Sequence, residues 1–478
     1  MQSIKKNFGY NLILTLCGYL FPLITFPYIS RVLGVENVGV CNFVDSIINY
    51  FILFAQLGIG SYGVREISRC RADRKRRDEV FNNLFFIYVF TTALSIALLV
   101  LLTFTVSQLQ VYKPFLLLGI LKLLFTLFLI QWFFQGIEDF KFITVRSIIV
   151  RCLYVISVFA FVQDREDAVI YYGLTTATIA LNAIVNWLYS RKFITLSIKC
   201  LTPRIYIVPI LAFGYYRILT SMYTTFNVTF LGFVKNDIEV GYFTTATKLY
   251  SIILSIFSAF TTVMVPRVSY MLEQGQHREL QIMVAKLTSL LVAMFTPVIL
   301  FCMFQSDSII LLIAGPGYEG AVTPFRIVIL LLFIIGMEQV IIQQFLMAST
   351  SNKSIFIVSS VGAAVGVGIN IVFTPVSGAI GASMAWGLSE MAVLLTGLYL
   401  LKKHVGIVID IKAMMLSLLW SLLYLLPLVV ISICRFPRWF EMTFAATAVL
   451  FTFILINMKL HKNELLVNTI KRIKENEG

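Results

Sequence analysis

About fourteen stretches of this chain are long and apolar enough to cross a bilayer: 9–30, 40–63, 81–105, 114–134, 145–162, 169–189, 207–233, 240–264, 287–306, 324–346, 355–374, 378–400, 413–433 and 440–457. A helical crossing takes about 20 predominantly apolar residues. Inside lipid every backbone N–H and C=O must find its partner within the protein, which leaves helices and closed barrels as the spanning structures. The apolar runs here are continuous rather than alternating, so they predict helices. Composition agrees: 59% of residues are hydrophobic and 13% charged, against roughly 25% charge in a soluble domain. The chain therefore reads as an all-α polytopic membrane protein. Its opening, "MQSIKKNFGYNLILTLCGYL", has the basic-then-apolar order of a signal peptide. The apolar part is too long for one and lacks a small-x-small cleavage site after it, so it reads as a retained first span.

The charges orient the spans. If the spans alternate, Lys and Arg should gather on one set of connections. Of the 38, 27 lie at the N-terminus, in the 65–78, 135–146, 190–205, 267–286 and 401–412 connections, at Lys353 and in the tail. Six lie opposite: Arg31, Lys113, Arg165, Lys235, Arg435 and Arg438. This predicts an even number of spans in an inner or plasma membrane, with both termini cytoplasmic. The most polar stretch, "SRCRADRKRRDEV" from Ser68 to Val80, then reads as an orientation anchor attracted to anionic headgroups. It has no aromatic platform and no folded module around it, which argues against nucleic acid as a partner. The seven Cys are scattered and imply no disulfide framework, and His277, His404 and His461 stand alone in loops with no metal spacing. No connection apart from the tail exceeds about 20 residues, and no phosphate-binding loop is present. Any work must be done within the membrane.

The two halves resemble each other. "VGVCNFVDSIINYFILFAQLGIGSYGVR", ending at Arg65, aligns without a gap with "VGYFTTATKLYSIILSIFSAFTTVMVPR", ending at Arg267. Leu33-Gly34 answers Leu231-Gly232, and "QWFFQG" at Gln131 resembles "QQFLMA" at Gln343. The shared order suggests a six-span duplication with parallel topology, followed by two added spans. Polar residues form stripes at helical spacing on matching spans. Asn11, Thr15, Gly18, Pro22 and Thr25 lie on the first, and Asn42, Asp45, Ser46, Asn49 and Gln56 on the second. Arg217, Ser221, Thr224 and Asn227 lie on the seventh, and Thr244, Lys248, Ser251, Ser255, Ser258 and Thr262 on the eighth. Such stripes serve either tight helix packing or the lining of a shared polar cavity.

Charges deep in spans carry more information, because each is expensive in lipid. Arg217 lies about ten residues into its span, roughly 15 Å deep at ~1.5 Å per residue. Lys248 and Lys122 lie about eight residues in, within partial reach of the interface by snorkelling. Of the acids, Glu390 is near the middle of its span, Glu338 is about eight residues from the inner end of its own, and Asp45 is shallower. A buried acid either pairs with a base or carries an ion through a transport cycle, and both readings stay open. A lining with more cations than anions suits an anionic substrate, and phosphate suits Arg through charge-assisted hydrogen bonds.

The segment "FPYISRVLGVENVGVCNFVDSIINYFILFAQLGIGSYGVREISR" resembles the N-terminal signature of the Wzx-type polysaccharide and O-antigen flippases, an oligosaccharidyl-lipid exporter branch of the MATE-like superfamily. The basic loop after the second span and "QWFFQGIEDFKF" after the fourth extend the likeness over nearly the whole chain. The resemblance implies about 14 transmembrane helices arranged as two six-helix lobes plus two C-terminal helices. In this chain the boundaries would be 1–195 and 196–405 for the lobes, 406–458 for the added pair and 459–478 for a cytoplasmic tail. It implies a central cavity lined by spans 1, 2, 7 and 8, the spans that carry the stripes.

It further implies a polyprenyl-pyrophosphate-linked oligosaccharide, moved from the cytoplasmic to the outer leaflet by alternating access and driven by an ion gradient. The chain would be a transporter and not an enzyme. Membrane lipids and polysaccharide polymerase machinery would be its other partners. Arg217 and Lys248 would hold the pyrophosphate, with Arg31 and Lys122 as further cations, and Asn42, Asn49 and Asn227 would bind sugar. Glu338, Glu390 or Asp45 would couple the cycle to H⁺ or Na⁺, with no other cofactor. Rival readings are a MATE-type drug or metabolite exporter and a lipid II flippase. From another class comes a membrane glycosyltransferase or polymerase, which usually needs a large external loop or paired acids.

Overall fold

The computed structural model describes residues 4–197, 201–274, 276–346 and 352–405, with shorter stretches at 415, 418–419, 422–433, 442–449 and 452. Among these it is helical, with no strand. Nine helical runs among the described residues are long and apolar enough to cross a membrane. Two of them, Gly9–Arg69 and Lys353–Lys403, hold 61 and 51 residues, enough for two crossings each at ~1.5 Å per residue. In both, one glycine makes the turn. Helix α1 (Ile4–Gln56) breaks at Gly34, with φ 76° and ψ 171°. Helix α16 (Asn352–Val405) breaks at Gly378, with φ 54° and ψ −128°. Only a residue without Cβ adopts such angles readily, so these glycines separate spans that hydropathy shows as neighbours. The last two expected spans, 413–433 and 440–457, lie largely outside the described residues, as does the tail.

By its internal contacts the chain divides into two units. The first comprises Met1–Thr245, Ala314–Gly317 and Gly362–Trp386. It holds α1, α2 (Ile59–Arg69), α3 (Arg74–Thr105), α4 (Ser107–Gln110), α5 (Lys113–Phe128), α6 (Gln131–Gly136), α7 (Phe140–Phe161), α8 (Ala168–Ser190), α9 (Arg204–Thr224) and α10 (Phe226–Val234), with the first turns of α11 (Asp237–Glu273). Helix α1 packs against α3, α5 and α7, and α5 against α8. Lipid tails are as apolar as leucine, so dispersion and interhelical hydrogen bonds must hold these helices together. Phe81, Leu84, Phe133 and Phe134 are fully buried. Around them Trp132 stacks on Phe81 at 5.4 Å and Trp187 on Phe85 at 5.0 Å.

Three of the basic connections meet at one end of this unit. Arg71 pairs with Glu138 at 2.6 Å, and Arg77 Nη2 donates to the Phe193 carbonyl at 2.9 Å. Asp73 caps α3 by accepting from the Arg76 N–H. Arg74, Lys75 and Arg76 are left exposed, as an orientation anchor requires.

The second unit comprises Ala246–Ile313, Tyr318–Val361 and Gly387–Gly478. Helix α12 (His277–Phe304) packs on α14 (Val322–Ile329) and α15 (Leu331–Glu338). Its Leu300 and Phe301 also meet Tyr424 and Leu428, the latter on α17 (Leu425–Ile433). Short α13 (Ser306–Ile313) is tied to α14 by Arg326, which reaches Ser306 and Asp307. After α15 the chain widens into a π-helix, Gln339–Leu346.

Candidate functional site

Two breaks in otherwise apolar helices shape the first unit's polar cavity. Between α1 and α2 the chain turns at Leu57 (φ 46°), and between α5 and α6 at Ile130 (φ 33°). Breaks free backbone polar groups, which are tolerated at membrane depth only where protein or a water-filled cavity satisfies them. At the second break Asn186 Nδ2 donates to the Leu129 carbonyl, and Arg146 Nη1 donates to Asn186 Oδ1.

The first break is covered by α9. Gly214 lets α9 approach so closely that an added Cβ would lie 3.1 Å from the Leu57 carbonyl carbon. One turn further along α9 this approach sets Arg217 beside Gly60, whose own Cβ would lie 3.6 Å from Arg217 Nη1. The resulting cavity, about 470 Å³, is lined by Arg217, Gln56, Ser61, Thr126, Gln131 and Gln135, with Trp132 on one wall. A cation, three amides and the hydroxyls of Ser61, Tyr88 and Thr126 line one space. That set can hold an anion and hydrogen-bond neutral polyols.

Of the residues expected from sequence, Arg217 and Gln56 line this cavity, and Arg31, Lys122, Asn42, Asn49 and Asn227 do not. Lys122 is buried and ion-paired with Asp45. Tyr172 also donates to Asp45 Oδ1, at 3.3 Å, and its ring lies 5.6 Å from the Lys122 ammonium. The structure thus brings together a residue expected to bind substrate and one expected to couple an ion. Asn227 is fully buried and accepts from Asn370 Nδ2 at 2.6 Å, and Asn370 in turn holds Thr374. Asn42 donates to the Val38 carbonyl at 2.6 Å. Asn49 is exposed. Arg31 is exposed at the Gly34 turn, its side chain lying along Gly315.

Part of the stripes is spent on packing. Thr229 donates to Ser46 at 2.8 Å, and Tyr50 to the Ser221 carbonyl at 3.3 Å. In the second unit Lys248 is half-buried. There Glu338 lies close to Glu390, which is 4% exposed, and Gln339 donates to Ser258 at 2.8 Å. The side chains of Thr262 and Arg267 lie outside the described ones.

Gln131, Gln135, Ser61 and Thr126 are not among the expected site residues. "QWFFQG" did carry a signal. Its two glutamines are four apart and share a helix face, while Phe133 and Phe134 between them are fully buried.

Comparison with known proteins bears on this geometry. A relative from Escherichia coli (strain K12), named "Putative O-antigen transporter", is 26% identical over 350 residues, covering 71% of this chain and 82% of its own. One of the same name from Shigella dysenteriae is 24% identical, covering 56% and 67%. Among solved structures, the lipid II flippase MurJ in an inward closed conformation superposes with a TM-score of 0.73 at 14% identity, covering 94% of this chain and 99% of that one. An inward-facing multidrug resistance MATE family transporter of the MOP superfamily gives 0.62 at 14%, covering 81% and 94%. The fold is that of the MATE and MurJ proteins, as the resemblance read from the first two spans implied. With residues 4–272, more than half its length, matching the model described as "Polysaccharide biosynthesis protein", the chain belongs to that family.

Proposed function

We propose that this protein is a flippase, a transporter and not an enzyme, for a polyprenyl-pyrophosphate-linked oligosaccharide such as an O-antigen or capsule repeat unit. It moves the glycan from the cytoplasmic to the outer leaflet by alternating access, driven by an ion gradient, and leaves it for polymerase machinery. The observation that carries this reading is Arg217 set among Gln56, Gln131 and Gln135 in one cavity. Arg217 has no ion pair among the described residues, and a guanidinium suits a pyrophosphate through charge-assisted, often bidentate hydrogen bonds. The neutral amides suit sugar hydroxyls. The same cation repels cationic drugs, which counts against drug export by this cavity. The relatives' printed name points to the same substrate class, and the MurJ-like fold suits a lipid-linked cargo.

The test is flipping of a fluorescent polyprenyl-pyrophosphate oligosaccharide in proteoliposomes. Arg217→Ala should lower substrate affinity about 10- to 100-fold, the value of a charge-assisted hydrogen bond or two. Arg217→Lys, which keeps the charge but not the planar fork, should recover only part of it. Wild-type flipping by Arg217→Ala would remove this cavity from the pathway.

A further inference from the structure

A second cavity, about 670 Å³, lies between α7 and α8 and shares no lining residue with the first. Its walls are apolar: Ile149 and Leu153 on α7, Leu181 and Val185 on α8. At one end stands Arg146, only 7% exposed. Its Nη1 donates to Asn186 and its Nη2 to Ser147 Oγ at 2.9 Å, while its Nε is buried without a hydrogen-bond partner. No ion pair to Arg146 occurs among the described residues. The Phe142 ring, 5.8 Å away, offsets part of the charge. An uncompensated buried cation costs several kcal/mol, so the guanidinium lacks an anion.

Asp139, at the mouth, does not supply it. One of its oxygens accepts the Phe142 N–H at 3.2 Å and the other the Tyr189 hydroxyl at 3.0 Å. Lys141, exposed at the same mouth, adds a second positive charge. Helical side chains tilt toward the helix N-terminus, so Arg146 reaches toward the end of α7 where the basic connections gather. From Arg146 to Leu153 the wall runs seven residues, ~10 Å, most of the ~15 Å depth of one leaflet's hydrocarbon.

We propose that this groove binds one anionic glycerophospholipid of the leaflet on the basic-loop side. The phosphate sits on Arg146 and Lys141, and an acyl chain lies along Ile149, Leu153, Leu181 and Val185. The site is separate from the flippase cavity and does not rest on its reading.

The test is native mass spectrometry of the full chain, titrated with phosphatidylglycerol and phosphatidylcholine of matched chains. The wild type should retain phosphatidylglycerol about tenfold better, as one or two charge-assisted hydrogen bonds give. Arg146→Gln should lose the preference. Because Arg146 also holds Asn186, and through it the α5–α6 break, that variant could fail by unfolding. Leu181→Trp is therefore the second variant: it fills the groove from a residue 38% exposed and leaves the polar network intact. It too should drop the preference below about twofold.

Equal retention of both lipids by the wild type would overturn the proposal. So would an unchanged preference in Leu181→Trp, which would place the phosphate on exposed Arg74–Arg76 instead. Displacement of the lipid by inorganic phosphate at similar concentration would show that a free anion suffices and overturn the lipid assignment. Stronger binding of polyprenyl phosphate than of phosphatidylglycerol would overturn it in favour of the cargo.

Discussion

Charge in lipid is decided residue by residue, and Asp45 and Lys122 show how. Each alone is expensive in a membrane; paired, each removes the other's penalty, with Tyr172 as a further donor to the carboxylate. The two ends of the pair are unequal, since the side chain of Lys122 is 9% exposed and that of Asp45 36%. Losing the acid strands a buried ammonium, whereas losing the base leaves a carboxylate that can reach water. Asp45→Asn should therefore destabilise the protein by about 3 kcal/mol and Lys122→Met by clearly less, while the double variant should recover most of the loss. A double-mutant cycle from thermal unfolding in detergent reads the asymmetry, and additive losses would mean that the pair contributes nothing. The sequence revealed both residues as buried charges but not their partnership. A pairing between helices is set by the packing of α1 against α5, which hydropathy does not encode. Arg217 was legible because an arginine that deep has few purely structural explanations. Gln131 and Gln135 were not, because amides beside aromatics read as packing until the break at Ile130 turns them to one cavity.

At the scale of elements, the glycines matched by the internal repeat mark a helix crossing. A Cβ on Gly39 would overlap the Asp237 carbonyl oxygen, and one on Gly241 would overlap that of Val35. The starts of the second half of α1 and of α11 thus touch backbone to backbone, in reciprocal fashion. Gly39→Val cannot be relieved by a rotamer change and should cost at least about 1–3 kcal/mol. It should also raise the labelling of a cysteine placed at Val35 by a membrane-impermeant maleimide. Unchanged labelling and melting would show that the crossing yields. The two matched glycines were legible in the sequence, whereas the breaks at Leu57 and Ile130 were not, since neither carries a glycine or proline at the strained position.

The same crossing should respond to pH. Burial raises the Asp237 carboxyl above the ordinary Asp range; the hydrogen bond from Tyr112, 2.9 Å, pulls it back, and nearby Glu36 adds to the rise. A carboxyl raised on folding holds its proton more tightly in the folded state. Its contribution is complete below the unfolded Asp pKa and fades as pH rises through the raised value. The crossing should accordingly be firmest in acid and loosen as pH climbs through that window. Maleimide labelling at Val35→Cys should rise with pH, and Asp237→Asn should flatten the profile.

For the whole molecule, the question is where ion coupling resides. The cavity of the first unit is cationic and has no carboxylate among its described lining residues, and Asp45 is tied to Lys122. The second unit instead sets half-buried Glu338 close to buried Glu390, with Glu338 Oε1 without a hydrogen-bond partner among the described residues. Two neighbouring carboxyls repel when both are ionised, and sharing a proton between them removes that repulsion. Under the ion-driven cycle proposed above, we predict that this pair exchanges H⁺ rather than Na⁺. In proteoliposomes a pH gradient should drive flipping and a Na⁺ gradient should not. Glu390→Gln keeps a polar side chain beside Glu338 but removes the group that exchanges the proton. It should abolish the response to the pH gradient. Binding of the lipid-linked oligosaccharide at Arg217 should stay near its wild-type affinity. Driving by Na⁺ in the wild type, or a Glu390→Gln variant that still follows the pH gradient, would move the coupling site away from this pair. A variant that lost binding along with coupling would show that the carboxyl pair serves the cargo site instead.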